Sequence, residues 1–172
     1  MNGKAQLVVH PLPPVADAHS RVLILGTMPS PKSREYGFYY AHPQNRFWPV
    51  LAAVVGEPVP LGSDARRQMA LRHGVALWDV LRSCTIRGAD DSTIRDPVPN
   101  DIASLLARAP VNAIFTNGQK STALYNKFCY PVLKRPSIPL PSTSAANRGA
   151  YPMERLLQVY TEKLLPYLGL RL

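Results

Sequence analysis

Cysteine is scarce in this chain. Cys84 and Cys129 stand alone and far apart, with no CxxC and no second pair. A self-contained four-cysteine zinc site or iron–sulfur cluster is thereby excluded. The two thiols read as buried, inert groups in a reducing compartment. The four histidines, at 10, 19, 42 and 73, show no ligand spacing, so neither a metal nor a cofactor is expected. No stretch approaches the roughly 18 apolar residues of a membrane span. The opening MNGKAQLVVHPLPP lacks the apolar core of a signal peptide, and the expectation is a cytoplasmic protein without membrane contact. Neither a GxxxxGK[ST] phosphate loop nor a GxSxG nucleophile elbow occurs. Acidic residues are the scarcer charge: 11 Asp+Glu against 20 Lys+Arg leave a formal net charge of +9. That balance suits a protein that sits on phosphates without requiring one.

What is present reads as a soluble globular chain, with 46% hydrophobic and 18% charged residues over 172 positions. One domain spanning 1–172, acting as a monomer, is expected. Residues 1–20, with Pro11, Pro13 and Pro14, read as an irregular lead-in without chemistry. Unalternating apolar runs predict buried parallel strands over 22–25, 75–78 and 111–116, with a fourth within 132–140. Between them the spacing and caps predict helices over about 45–55, 65–73, 101–108, from Lys120 to about 128, and 152–165. Residues 82–100 are polar, contain Gly88, Pro97 and Pro99, and read as one long loop. Strand–helix alternation of this kind predicts an α/β fold, a three-layer α/β/α sandwich around a central, mainly parallel four-stranded sheet.

The unusual loops leave strands at Leu25, Trp78, Thr116 and Leu140, so all converge on the carboxyl edge of the sheet, where ligands bind in open α/β folds. The first of them, GTMPSPKSREYGFYYAHPQNRFW from Gly26 to Trp48, combines flat faces (Phe38, Tyr39, Tyr40) with polar tips (His42, Asn45, Arg46). That mixture suits a pocket for a planar, hydrogen-bonding ring. The Gly118 turn, with Lys120 at the following helix start, could cradle an anion or be an ordinary turn.

The segments GTMPS, YAHPQNRFW and LPSTSAANR resemble the uracil-DNA glycosylase superfamily, most closely its mismatch-specific and hypoxanthine-DNA glycosylase branches. The resemblance spans residues 21–148, and the YYAHPxNxFW pattern is its specific part. It implies a monofunctional DNA glycosylase of base excision repair, hydrolysing the bond to uracil, hypoxanthine or xanthine after base flipping. It places Tyr40 as the ring stacked on the extruded base and Asn45 as the amide that holds the attacking water, with His42 as a second catalytic candidate. Backbone N–H groups at Thr27 and Met28 would meet a base carbonyl, and Asp79 would accept a ring N–H. Ser30, Lys120, Ser142, Thr143, Ser144, Asn147 and Arg148 are the implied DNA contacts, and the partner is DNA containing deaminated bases. Two positions depart from the family pattern: Met28 stands where the mismatch-specific branch has its water-orienting Asn, and Leu140 where many members carry a catalytic His.

Each of these residues also has a plain structural use. Asn45 can cap the helix that follows, Asp79 can cap a turn, His42 can make a local hydrogen bond, and the tyrosines can be core. A non-catalytic binder of damaged or single-stranded DNA, and an unrelated nucleotide-binding enzyme, remain alternatives.

Overall fold

The structure is a computed structural model and describes residues 3–169. Its centre is a four-stranded, all-parallel sheet of β2 (Val22–Gly26), β3 (Val75–Asp79), β6 (Ala113–Asn117) and β7 (Ser137–Leu140), in the order β3-β2-β6-β7. β2 and β6 are buried at every position, as strands covered on both faces must be. Alternate residues serve opposite faces. Val22 and Ile24 join Val75, Leu77 and Phe115 against α2 (Phe47–Val55), α3 (Ser63–Arg72) and α7 (Met153–Leu164). Leu23 and Leu25 join Ala76 and Ile114 against α4 (Ile102–Arg108) and the helical stretch that begins with α5 (Gln119–Leu124). These are the three layers expected. Each fully buried Leu, Ile or Val contributes about 1.5–3 kcal/mol.

The register places the chemistry. Gly26 pairs with Asp79 across β2–β3, and Asn117 pairs with Leu140 across β6–β7, so these residues end the strands in one row. The loops beyond them share one edge.

Four sequence expectations change. Residues 82–100 are not a loop but a hairpin, β4 (Leu81–Arg87) and β5 (Asp90–Pro99), turning at Gly88, whose φ is +54°. The lead-in is not irregular throughout: β1 (Gln6–Val9) pairs antiparallel with β4, giving a second sheet in the order β1-β4-β5. Val15 then bridges Leu77 on the outer edge of β3, where both backbone bonds are 2.9 Å. The pocket loop contains its own short helix α1 (Pro31–Tyr36), capped by Ser30 and closed by Gly37 in the left-handed region. Finally, the helix after Gly118 continues beyond 128 as a π-helical turn (Tyr125–Cys129) and α6 (Tyr130–Leu133), the wide turn bringing Tyr125 Oη to the Arg135 carbonyl at 2.7 Å.

Among the described residues no helix is long and apolar enough to cross a membrane.

Candidate functional site

The loop row encloses a cavity of about 180 Å³. Gly26, Thr27 and Met28 from the end of β2, Tyr40 and Asn45, Asp79, Asn117, and Ser142–Ser144 all line it. The structure therefore brings together most of the side chains that the sequence nominated.

Tyr40 is held in an uncommon way. Its φ of +52° is left-handed, a conformation that costs a non-glycine residue about 1–3 kcal/mol and persists where surroundings enforce it. The turn separates it from its neighbours: Phe38 and Tyr39 are only 4% and 3% exposed, in the core. Tyr39 Oη donates to the Pro13 carbonyl at 2.8 Å, and Trp48 Nε1 donates to the Tyr39 carbonyl at 2.9 Å. One face of Tyr40 lies on Phe47, with ring centroids 4.0 Å apart and planes 18° from parallel. The residue is half-buried and lines the cavity. Its hydroxyl is buried close to the Asn117 side chain, without a well-aligned hydrogen bond among the described residues. Burial, reinforced by the nearby Asp79 carboxylate and opposed by Asn117, pushes that phenol well above its usual range, so it stays protonated.

Asp79 is 4% exposed. Its Oδ2 accepts from His10 Nε2 at 2.7 Å, and both side chains are almost wholly buried. The tautomer follows from the other ring nitrogen: Leu12 N donates to His10 Nδ1 at 3.2 Å, so the imidazole proton sits on Nε2. Oδ1 remains, turned toward Gly26. A Cβ at Gly26 would collide with it and would stand 3.3 Å from Tyr40 Oη. The floor of the cavity thus pairs one carboxylate acceptor with one buried hydroxyl. Gly26→Ala should close that floor and push Asp79 off His10; the expected result is a near-complete loss of activity together with a lowered melting temperature, read by parallel activity and thermal-melt assays.

Asn45 is half-buried and lines the cavity. Its Oδ1 accepts from Phe47 N at 2.9 Å, a turn just ahead of α2, whose N-cap is Arg46; the bond also fixes which amide atom is oxygen. A carbonyl oxygen has a second lone pair, and Nδ2 makes no hydrogen bond among the described residues. The turn therefore leaves hydrogen-bonding capacity on the amide at the cavity wall.

The other nominated residues fall into three groups. Thr27 is buried, and its carbonyl is taken by Leu81 N at 3.1 Å; Met28 is half-buried in the wall. Ser30 also lines the cavity, but its hydroxyl caps α1 at Ser33 N, 3.1 Å away. His42 does not fit a catalytic assignment. It is exposed, lies outside the cavity lining, and its Nδ1 accepts from Gln44 N at 3.1 Å, which closes the turn.

Ser142, Ser144, Asn147 and Gly118 line a wide groove of about 1010 Å³ that adjoins the cavity. Thr143 is instead buried, clamped by Asn117 through two bonds of 3.2 Å. Ser142 Oγ accepts from Ser144 N, and Asn147 Nδ2 donates to the Ser142 carbonyl, so the loop is preshaped by its own hydrogen bonds. Gly118, with φ +99°, lies against Ser142, where an added Cβ would be 3.4 Å from that side chain. Lys120 is half-buried and Arg148 exposed.

Sequence reasoning missed two contributors, His10 and Asp91, and named Arg46 only as a polar tip of the pocket loop. His10 was hidden in a proline-rich lead-in. Arg46 is 7% exposed and binds the Tyr151 and Ser144 carbonyls, tying the Asn45 loop to the Ser142 loop. Asp91, near the hairpin tip, lines both cavity and groove.

Comparison with known proteins agrees with this geometry. A family model described as the Uracil DNA glycosylase superfamily matches residues 13–165. A hypoxanthine DNA glycosylase of Methanosarcina acetivorans is 33% identical over 138 residues, covering 79% of this chain and 86% of that protein. The hypoxanthine DNA glycosylase of Methanosarcina barkeri is 36% identical over 111 residues, 63% of this chain and 70% of the relative. A solution NMR structure from Methanosarcina acetivorans, of a candidate uracil DNA glycosylase, superposes with a TM-score of 0.76 at 28% identity, covering 91% of this chain and 98% of that one. The chain belongs to the uracil DNA glycosylase superfamily and is, on that ground, a DNA glycosylase.

Proposed function

We propose that the protein hydrolyses the N-glycosidic bond of deaminated bases, hypoxanthine foremost, with uracil and xanthine also accepted, after the nucleotide turns out of DNA into the cavity. The observation that carries this reading is the floor of the cavity: a carboxylate oxygen of Asp79 left free against Gly26, in a cavity that Tyr40 also lines. Deaminated bases present a ring N–H next to a carbonyl, at N1 and C6 in hypoxanthine and at N3 in uracil. The N–H meets Asp79 Oδ1, and the carbonyl takes a donor from the backbone at Thr27 and Met28. Adenine and cytosine carry a lone pair at the same ring nitrogen, which would face a carboxylate, and a buried acceptor left unpaired rejects a ligand strongly.

Cleavage develops positive charge on the sugar and negative charge on the base. Fixed donors around the base carbonyl hold the anion, and the Tyr40 ring contributes stacking of about 1–3 kcal/mol. Asn45 holds the water whose oxygen bonds to C1′ while the C1′–N bond breaks with its electron pair leaving on the base. No lysine lines the cavity among the described residues, which supports hydrolysis without a Schiff base and hence without strand nicking. Ser142, Ser144, Asn147, Lys120 and Arg148 position the phosphates and carry no sequence information.

The test is incubation with oligonucleotides containing hypoxanthine, uracil, xanthine or only ordinary bases, followed by alkaline cleavage of abasic sites. Alkali-labile product from the deaminated substrates alone is expected, with an affinity that falls as salt rises. Salt-dependent binding without product would establish a DNA binder instead.

A further inference from the structure

The groove and the cavity share four residues: Ala89, Asp91, Ser142 and Ser144. A nucleotide whose base fills the cavity and whose phosphates follow the groove has its deoxyribose at that junction. Of the four, Asp91 alone carries a charge. It sits on β5 next to the hairpin tip and takes no part in shaping the turn. That falls to Asp90, which accepts from Ser92 N and Ser92 Oγ. Asp91 is half-buried, and four other titratable groups face it: Asp79 from β3, Cys84 from β4, Lys120 from α5 and its neighbour Asp90. The Thr27 hydroxyl on the pocket loop approaches it as well. The carboxylate is thus held beside a basic group, at the mouth of a cavity whose deeper carboxylate, Asp79, is already committed to His10.

The geometry points to Asp91 as a further catalytic residue, a carboxylate that faces C1′, stabilises the cationic sugar and takes the proton of the water held by Asn45. The assignment rests on the glycosylase reading above. The atoms balance without any added reactant. The C1′–N bond breaks with its electron pair passing to the base, and the water oxygen bonds to C1′. One water proton passes to Asp91, and the departing base or solvent later removes it. No step requires a redox partner. The division of labour is physical: an amide fixes the direction of a lone pair but is too weak a base to accept the proton, and a carboxylate supplies both charge and basicity. Of the residues that line both cavity and groove, Asp91 alone is charged; the loop residues there are Ser142 and Ser144.

A pH dependence follows. Burial raises the Asp91 pKa above the usual carboxylate range, Asp79 and Asp90 add to the rise, and Lys120 and Thr27 oppose it. The active form is ionised, so activity is present above the raised pKa and is lost as pH falls through it. The acid limb therefore lies above that of an ordinary aspartate.

The experiment is single-turnover excision from a hypoxanthine-containing oligonucleotide across mildly acidic to neutral pH, with thermal melts alongside. Asp91→Asn should slow excision about a hundredfold or more, abolish the acid limb, and leave affinity for abasic-site DNA intact. Asp91→Glu should retain part of the rate with a displaced acid limb, and Asp90→Asn should keep the wild-type rate at neutral pH with an acid limb moved slightly down. An Asp91→Asn rate close to wild type with the same pH profile overturns the assignment while leaving the glycosylase reading standing. Wild-type protein inactive on every deaminated substrate overturns both. Should Asp91→Asn fail to fold, the Glu variant decides: a displaced acid limb supports the assignment, and an unmoved one overturns it.

Discussion

Asn45→Ala is expected to lower the single-turnover rate of base excision by about a hundred- to thousandfold, the range for losing one group oriented in the transition state. Affinity for DNA should hardly change, because the residues proposed to meet phosphates line the groove and Asn45 lines the cavity. The same substitution removes the bond from Oδ1 to Phe47 N, so a stability loss of about 1 kcal/mol should accompany it. The two effects can be separated. Asn45→Asp or Asn45→Ser keeps an accepting oxygen and should restore the melting temperature, but neither restores an amide. If only that bond mattered, these variants would recover the full rate. A quench-flow time course at saturating enzyme, with melts on the same preparations, reads both quantities.

His10→Ala should have the largest effect on stability. It leaves the Asp79 carboxylate, 4% exposed, without the N–H donor that satisfies Oδ2. Leaving a buried charged acceptor without its hydrogen bond costs about 3 kcal/mol. In a chain of this length that lowers the melting temperature by roughly 5–10 °C. Excision should fall with it, because Asp79 Oδ1 faces Gly26 only as long as Oδ2 is pinned. His10→Gln, which keeps an N–H donor, should recover a large part of both. A role through Asp79 also predicts non-additivity: in an Asp79→Asn background, where no charge is left to satisfy, His10→Ala should cost far less. Equal costs in the two backgrounds would mean that His10 acts by packing alone. The measurement is a double-mutant cycle by denaturant unfolding.

The central sheet was legible because its strands are continuous apolar runs, and a strand covered on both faces has no other way to be written. Gly26, Asp79 and Asn117 fall at the ends of those runs, which is why the cavity floor was legible too. The hairpin was not. Its inward residues Leu81, Cys84 and Ile86 do not keep a strict alternation, because the β4–β5 register shifts between Leu81 and Ser83 and again at Thr85. Pro97 and Pro99 argued further against a strand, yet β5 is an edge, where missing N–H donors are tolerated. His10 was invisible for a different reason. Its partner is 69 positions away, and the link depends on β1 pairing with β4, a non-local contact with no local signal. The aromatic row shows a finer limit: Phe38, Tyr39 and Tyr40 read alike in sequence, and only a left-handed turn at Tyr40 separates the half-buried ring that lines the cavity from the two that serve the core. His42 misled because a polar tip in a pocket loop resembles a catalytic group until its turn-closing bond to Gln44 N is seen.

The most direct measurement is an amide-resolved NMR titration with DNA carrying hypoxanthine on a 2′-fluorinated sugar, where the fluorine opposes cationic character and keeps the base attached. A base seated in the cavity should shift the backbone amides of Thr27, Met28, Tyr40, Asn45 and Asp79 far more than matched DNA containing adenine does. Equal shifts with both DNAs, confined to the groove around Gly118 and Ser144 while those five amides stay in place, would contradict the account.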